Sequence, residues 1–295
     1  MSVGAVPVES AAAVSAAGAD VRRQDFVREL TRQPAFWVGV FILGFWILSA
    51  IFGSLVVQDP LAQNLLAINK APSSAHLFGT DQLGRDVLAR VIVGSRTILI
   101  TAPLATLLGT VLGTILGLIM GYFRGAVDDV VSRFVEAFLA LPLIVTGILG
   151  VLALGESNAT LILVIGIVFT PLIARTVRAA VIQERDLDYI AAARLRGESS
   201  LYIMVAEILP NILAPIMVEF TVRLGYAVFT IVALSFLGYG LQPPNPNWGA
   251  DISANFNEVA AGYWWETLFP ALAVATLVVG VNLVANSIER ALDAP

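Results

Sequence analysis

The 295-residue sequence is 58% hydrophobic and only 13% charged, with a mean hydropathy of +0.84, which is far more apolar than an ordinary soluble domain. It contains no cysteine, which excludes a disulfide framework, a thiolate metal site and a cysteine nucleophile. The single histidine, His76, excludes a multi-histidine metal centre, and the net charge of -5 says little about partners. The composition therefore predicts a membrane protein.

Apolar segments of membrane length recur along the chain after a tail over residues 1–32 that carries four arginines. We predict spans at residues 33–58, 98–121, 137–155, 157–174, about 211–236 and 267–288. This pattern predicts an all-α polytopic membrane protein with six transmembrane helices. An external loop over 59–96, a core of spans two to six over 97–290 and a short tail over 291–295 complete the predicted organisation.

The placement of arginines predicts the orientation. Most of the 17 Lys and Arg residues precede the first span, lie between spans two and three or four and five, or follow the last span. The positive-inside rule then places both termini in the cytosol. Trp248, Tyr263, Trp264 and Trp265 are expected to form an aromatic belt at the outer interface.

A polar segment in the predicted external loop, residues 76–88, reads HLFGTDQLGRDVL. Its two glycines allow tight turns, and Asp81, Arg85 and Asp86 can bond one another or the loop backbone. We favour a self-satisfied folded loop, with direct contact to a partner or to cargo as the alternative.

A second polar segment, residues 186–210, reads DLDYIAAARLRGESSLYIMVAEILP and separates two apolar runs. Asp186 and Asp188 can cap a short helix, Gly197 can end it, and Ser199 or Ser200 can cap a second helix. This segment is either a plain hairpin between two membrane helices or an element that binds a partner.

Two further features lie in or near the spans. Glu219 and Arg223 are four residues apart on the fifth span, so they share a helix face and can pair. They either line a polar translocation path or form an internal or intersubunit salt bridge, and both interpretations use the same geometry. Glycines at 109, 113, 117 and 121 form a stripe that permits close packing at a helix or subunit interface.

Three motifs resemble one protein family. Ala192-Ala193, Gly197 and Leu209-Pro210 resemble the E-A-A-x3-G-x9-I-x-L-P loop of ABC importer permeases, with Ala191 at the position of the Glu. The segment beginning at His76 resembles H-x-x-G-T-D-x-x-G-R-D, which marks the C-type permease subunit of dipeptide, oligopeptide and nickel importers. The segment from Leu234 to Gly249 resembles the S-F-L-G-L-G-x-x-P-P-x-P-x-W-G segment of the same subunits.

The resemblance implies an ABC type I importer permease fold in a bacterial cytoplasmic (inner) membrane, with both termini inside. It implies a coupling helix that docks on a cytosolic ATPase, and the residues carried over for that role are Ala191, Ala192, Ala193, Arg194, Gly197, Leu209 and Pro210. It also implies a homologous permease as partner and an extracytoplasmic substrate-binding protein on the other side, for which Asp81, Arg85, Asp86 and Trp248 are candidate contacts. Dipeptides or oligopeptides are the expected cargo.

Catalysis is not expected of this chain. It has no G-x-x-x-x-G-K-[ST] motif, and its one lysine, Lys70, is predicted to lie outside, so ATP and Mg²⁺ are expected on a separate ATPase subunit. We expect no cofactor, metal or nucleic acid to bind. A secondary transporter or channel for small solutes is the alternative function. Gly197→Pro or a charge at Ala193 is expected to uncouple hydrolysis from uptake.

Overall fold

The computed structural model describes residues 26–241 and 243–293. Most of the predicted tail over residues 1–32, together with Gln242 and the last two residues, therefore lies outside the described residues. Within the described part, the chain forms helices joined by turns and loops, and no strand longer than an isolated bridge between Thr80 and Asp86 occurs.

Over residues 26–241 and 243–293, five helices are long and apolar enough to cross a membrane: α2 (Pro34–Val56), α3 (Val87–Phe123), α6 (Asn158–Arg185), α10 (Leu213–Phe236) and α12 (Trp265–Asp293). The others are α1 (residues 26–32), α4 (Ala126–Leu139), α5 (Leu143–Leu154), α7 (Asp188–Leu195), α8 (Ser200–Tyr202), α9 (Leu209–Asn211) and α11 (Trp248–Asn255). A π-helical turn, Ile203–Ile208, joins α8 to α9, and short 3₁₀ turns cover Leu65–Ala67 and Phe256–Ala261.

The third predicted span is bent rather than straight. Helices α4 and α5 meet at 90°, and only together do they count as a sixth span. Pro142 disfavours a helical conformation at the preceding Leu141, which ends α4 at Leu139. Helix α5 has 12 residues and, at about 1.5 Å per residue, is too short to cross a bilayer alone. The predicted single helix over 137–155 is therefore wrong.

Two helices extend well beyond the predicted spans. Helix α3 begins at Val87 because the Asp86 side chain caps it by accepting a hydrogen bond from the Ala89 N–H at 2.8 Å. The connection after α2 thus ends at residue 86, whereas the sequence predicted an external loop to residue 96. Helix α6 continues to Arg185, past the predicted end at residue 174. Charged residues on these extensions led the sequence analysis to place them in loops.

Helices α3 and α6 form the centre of the fold, packed along the glycine stripe. A Cβ atom added at Gly117 would lie 2.7 Å from the Val177 Cβ and 2.8 Å from the Ala174 carbonyl oxygen. Comparable contacts recur at Gly109, Gly113 and Gly121, so the two backbones lie too close for any side chain on this stripe. The stripe is a helix interface within this chain.

The bundle has two distinct ends. The hairpin end carries the connection between α6 and α10 (residues 186–212), and the start of α2 lies beside the end of α12 there, with Gln33 Nε2 donating to the Ser287 carbonyl at 3.5 Å. The cap end carries residues 57–86 and α11. Both ends of the described chain therefore lie at the hairpin end.

Candidate functional site

The hairpin at residues 186–212 folds into two short arms. Helix α7 is the first, and α8, the π turn and α9 form the second. Asp188 lies in the first turn of α7, where a carboxylate favours the positive end of the helix dipole. The N-cap is Leu187, without a side-chain bond, so the predicted capping role of Asp186 is wrong. Asp186 instead accepts a hydrogen bond from Arg124 Nη2 at 2.9 Å.

The turn between the arms depends on Gly197, whose φ of +79° is a conformation that L side chains rarely adopt. The Gly197 N–H donates to the Arg194 carbonyl at 3.0 Å, and the Glu198 N–H donates to the Ala193 carbonyl at 3.3 Å. These two bonds form a Schellman motif, which satisfies the last carbonyls of α7. Ser199 then caps α8 by accepting from the Tyr202 N–H, as the sequence predicted.

One face of the hairpin packs against the bundle. Ile190 and Ala193 of the first arm and Ile208 of the second are completely buried. Ala193 is therefore a packing residue, and a charge there would first disrupt the hairpin itself, so the predicted uncoupling would act through the shape of the hairpin. Of the other residues that the family resemblance assigns to the coupling helix, Leu209 is half-buried and the rest are exposed: Ala191, Ala192, Arg194, Gly197 and Pro210.

Other side chains of the hairpin are apolar and yet exposed, and sequence reasoning did not single them out. We call the set the exposed apolar edge, and its members are Leu187, Leu195, Leu201, Tyr202 and Val205. Leu195 is 90% exposed and Leu201 is 67% exposed, although each lies beside charged or polar residues. The sequence did contain a signal for this set, namely large apolar residues within a polar hairpin. Exposed apolar side chains in a polar segment are typical of partner surfaces, so these residues are candidates for one.

A hydrogen-bond network joins the two arms to each other and to the end of α6. The Tyr189 hydroxyl donates to Glu184 Oε1 at 2.5 Å and accepts from Asn211 Nδ2 at 3.0 Å. Burial, followed by the hydrogen bond and charge of Glu184, raises the pKa of Tyr189 to about 12, so the phenol stays neutral at physiological pH. In the second arm, Glu207 lies 3.4 Å from Arg196. The two arms are thus fixed to each other and to α6, and the second arm continues through Ile212 into α10.

Arginines join the hairpin to the end of α3 as well. The guanidinium carbons of Arg185 and Arg194 lie 5.8 Å and 5.6 Å from the centroid of the Tyr122 ring, a cation–π arrangement. Arg185 also donates to the Tyr122 carbonyl. Because Arg124 at the end of α3 pairs with Asp186, a displacement of the hairpin would act on α3, α6 and α10 together.

The predicted ion pair on α10 forms within the chain. Arg223 Nε lies 2.5 Å from Glu219 Oε1, and the side chains are 20% and 12% exposed. Thr176 of α6 donates to the second Glu219 oxygen at 3.4 Å, and Arg223 lies over the Tyr226 ring. The pair therefore links α10 to α6 and remains partly accessible. This geometry is compatible with both interpretations from the sequence.

At the cap end, the polar loop bonds to itself. Asp81 is 1% exposed; it accepts Arg85 Nε at 2.7 Å and also the backbone N–H groups of Leu83 and Arg85. Asp86 is 9% exposed; it caps α3 and lies 2.8 Å from His76 Nδ1. Their burial supports the folded-loop interpretation and leaves Asp81, Arg85 and Asp86 little surface for a partner.

Trp248 also lies inside the cap end. It is fully buried, its Nε1 donates to the Val91 carbonyl at 2.8 Å, and its ring packs edge-on against Trp46 with centroids 4.9 Å apart. Trp265 is likewise buried and donates to the Thr80 carbonyl at 3.1 Å. The expectation of an interface belt is therefore wrong for Trp248 and Trp265, whereas Trp264 is 47% exposed. Contact of Trp248 with a partner would require the cap to open.

A buried ion pair holds the cap together. Arg90 of α3 binds Asp251 of α11 with Nη2 2.5 Å from Oδ1, and Arg90 also donates to the carbonyls of Pro60 and Pro244 at 3.3 Å. Burial raises the pKa of Asp251, and the Arg90 guanidinium opposes that rise. Sequence reasoning missed this pair because its members are 161 residues apart.

The sequence matches two described families. Residues 113–294 match the binding-protein-dependent transport system inner membrane component, and residues 22–72 match the N-terminal TM domain of oligopeptide transport permease C. The dipeptide transport system permease protein DppC of Escherichia coli (strain K12) is 38% identical over 277 residues, covering 92% of each chain. DppC of Bacillus subtilis (strain 168) is 32% identical over 271 residues, covering 92% of this chain and 85% of the relative.

Among solved structures, the inward-facing MetNI methionine ABC transporter superposes with a TM-score of 0.57 at 19% sequence identity. The match covers 70% of this chain and 97% of that chain. At this identity the likeness concerns the fold alone.

Proposed function

Since the chain belongs to the family of binding-protein-dependent transport system inner membrane components, we propose that it imports dipeptides or oligopeptides as the permease subunit of an ATP-driven transporter. The observation that carries the proposal is the match over nearly the full length of both chains to relatives named as dipeptide transport permeases. The family is bacterial and resides in the cytoplasmic membrane, in agreement with the membrane-length helices of this chain.

The hairpin is the proposed coupling element. The exposed apolar edge supplies a contact surface for a cytosolic ATPase subunit, with Leu195 and Leu201 at its tips and Ala191, Ala192 and Arg194 beside them. Ala193, Gly197, Leu209 and Pro210 act by holding the hairpin in shape. The Tyr189 network then transmits a push on the hairpin to α6, and the second arm transmits it through Ile212 to α10.

Partners complete the transporter. ATP and Mg²⁺ are bound and hydrolysed on the ATPase subunit, and this chain performs no catalysis. A homologous permease contributes the second half of the translocation path, and a substrate-binding protein delivers peptide at the cap end. This arrangement places the hairpin end and both termini in the cytosol.

The Glu219–Arg223 pair is the proposed polar lining of the path. It is partly accessible on α10, a helix that the hairpin network would move, and its two charges match the ends of a zwitterionic peptide. A purely structural salt bridge between α10 and α6 remains the other interpretation. Swapping the two residues tests between them: a structural bridge tolerates Glu219→Arg combined with Arg223→Glu, whereas a path lining loses uptake while the complex still assembles.

Purification from the native membrane in mild detergent tests the whole proposal. We expect a second permease and ATPase subunits to co-purify, with ATP hydrolysis in proteoliposomes stimulated by a peptide-loaded binding protein. A chain that purifies alone and takes up solute with an ion gradient would overturn it.

A matched pair of variants tests the coupling surface. Leu195→Ser should weaken retention of the ATPase, whereas Leu66→Ser, at the cap end and 87% exposed compared with 90% for Leu195, should leave it unchanged. Equal ATPase retention in both variants would remove the exposed apolar edge from the coupling mechanism.

A further inference from the structure

A groove opens between α2 and α3 in the part of the bundle nearer the cap end. The two helices are in contact where Gly53 meets Ile92, and the groove lies on the hairpin side of this contact, lined by residues of both helices. The groove encloses about 490 Å³, and its floor is made by α10 and α12. Its lining is apolar with one exception, Arg96.

Arg96 lies at the boundary of the apolar part of α3. It is exposed and is followed by the uncharged residues 97–123. The other two arginines near the start of α3, Arg85 and Arg90, are held by Asp81 and Asp251. Within the described residues, the Arg96 side chain makes no hydrogen bond, ion pair or ring contact. The groove thus joins an unpaired guanidinium, at the start of the uncharged stretch of α3, to an apolar slot.

We propose that this groove binds an anionic phospholipid, with one acyl chain between α2 and α3 and the phosphate on Arg96. A guanidinium binds phosphate through paired N–H donors, and it can keep its head at the interface while its stem covers apolar surface. In the proposed orientation, the lipid belongs to the outer leaflet.

The dimensions of the groove favour an acyl chain over a protein helix. On α3 it is lined from Arg96 to Pro103, which corresponds to roughly 12 Å of helix at 1.5 Å per residue. A helix of the second permease would cross about 30 Å of hydrocarbon and would need a slot along the whole bundle. Below the groove α2 instead packs closely on α12, where a Cβ atom at Gly39 would lie 2.9 Å from Val284.

The groove is also separate from the proposed translocation residues. Leu224 and Val228 of α10 face it, whereas Tyr226 and Phe229 point to the exposed side of the same helix, at 57% and 58% exposure. Neither Glu219 nor Arg223 lines the groove, so the lipid test can fail without affecting the proposed function.

The test uses the complete transporter, purified in mild detergent, delipidated and then titrated with phosphatidylglycerol or phosphatidylcholine while native mass spectrometry counts bound lipid. Wild type should retain phosphatidylglycerol in preference to phosphatidylcholine. Arg96→Leu should reduce that retention roughly tenfold or more, the scale of a charged hydrogen bond, while Arg96→Lys should keep part of it. Inorganic phosphate alone should not compete at millimolar concentration, because it lacks the acyl chain.

A second set of variants addresses the slot. Ala50→Phe should fill the groove and abolish retention of both lipids, whereas Ala275→Phe, on the exposed side of α12, should not. Unchanged retention in Arg96→Leu and Ala50→Phe, or equal loss in Ala275→Phe, would overturn the proposal. So would efficient cross-linking of the second permease to Ala50→Cys, which is readily detected in a chain without cysteine.

Discussion

Gly197 allows the coupling hairpin to be perturbed by a calculable amount. At φ +79° an Ala side chain costs about 1–2 kcal/mol, and no atom lies within 4 Å of the position its Cβ would take. Gly197→Ala therefore adds backbone strain without a clash and keeps the N–H that bonds Arg194. Gly197→Pro removes that N–H, and its ring fixes φ near −65°, so the turn has to rebuild.

The expected effect is graded. A strain of 1–2 kcal/mol changes the ratio of two conformations by a factor of about 5–30, so Gly197→Ala should lower the peptide taken up per ATP hydrolysed several-fold. Gly197→Asn should have a smaller effect because Asn tolerates the left-handed region, and Gly197→Pro should have the largest. Membrane insertion should be normal in all three variants.

Uptake of labelled peptide and release of phosphate are measured in the same proteoliposomes containing the complete transporter. Gly262→Ala is the matched control, because Gly262 has φ +99°, ends a helical turn in the same way and has open space around its Cβ position, but lies at the cap end. Normal coupling in Gly197→Pro, or equal loss in Gly262→Ala, would refute a role for the hairpin turn in coupling.

Three further predictions concern stability and local order. Asp251→Ala should destabilise the cap by about 3–5 kcal/mol because it leaves Arg90 buried without its partner, and Arg90→Met combined with Asp251→Leu should recover most of the loss in thermal unfolding. Gly113→Ala places a Cβ 2.7 Å from a side chain of α6 and should lower the free energy of unfolding by about 1–3 kcal/mol. Gly44→Ala is the control: no atom lies within 4 Å of its Cβ position, so the same assay should show unchanged or increased stability. Tyr189→Phe should speed hydrogen exchange of the hairpin amides relative to wild type. The ratio of the two exchange rates should be the same at all pH values near neutrality, because the pKa of about 12 keeps the phenol neutral. Unchanged exchange would contradict the linking role of Tyr189.

Features that depend on residues close together in the sequence were predicted correctly. Asp81 with Arg85 and Glu219 with Arg223 are four residues apart, so helix or turn geometry alone brings each pair together. Gly197 ends α7 because the turn requires positive φ, which the spacing of the hairpin already indicated. The apolar runs located five spans because a bilayer helix needs length and low charge, both of which are read directly from the sequence.

Which side chains are buried could not be predicted from the sequence, because burial depends on tertiary contacts. Ala191, Ala192 and Ala193 are chemically identical, yet only the third is buried, because the side of α7 that faces the bundle depends on the network that positions the hairpin. Charged residues at the start of α3 suggested a loop, but partners distant in the sequence, such as Asp251, make a helix possible there.

The sequence by itself determined which segments can enter the membrane and which polar segments must lie outside it, since both follow from local hydropathy. Tertiary structure decided the burial of Trp248, the pairing of Arg90 with Asp251 and the groove beside Arg96. Each of these depends on which helix surfaces meet, and a surface becomes interior only when another part of the chain covers it.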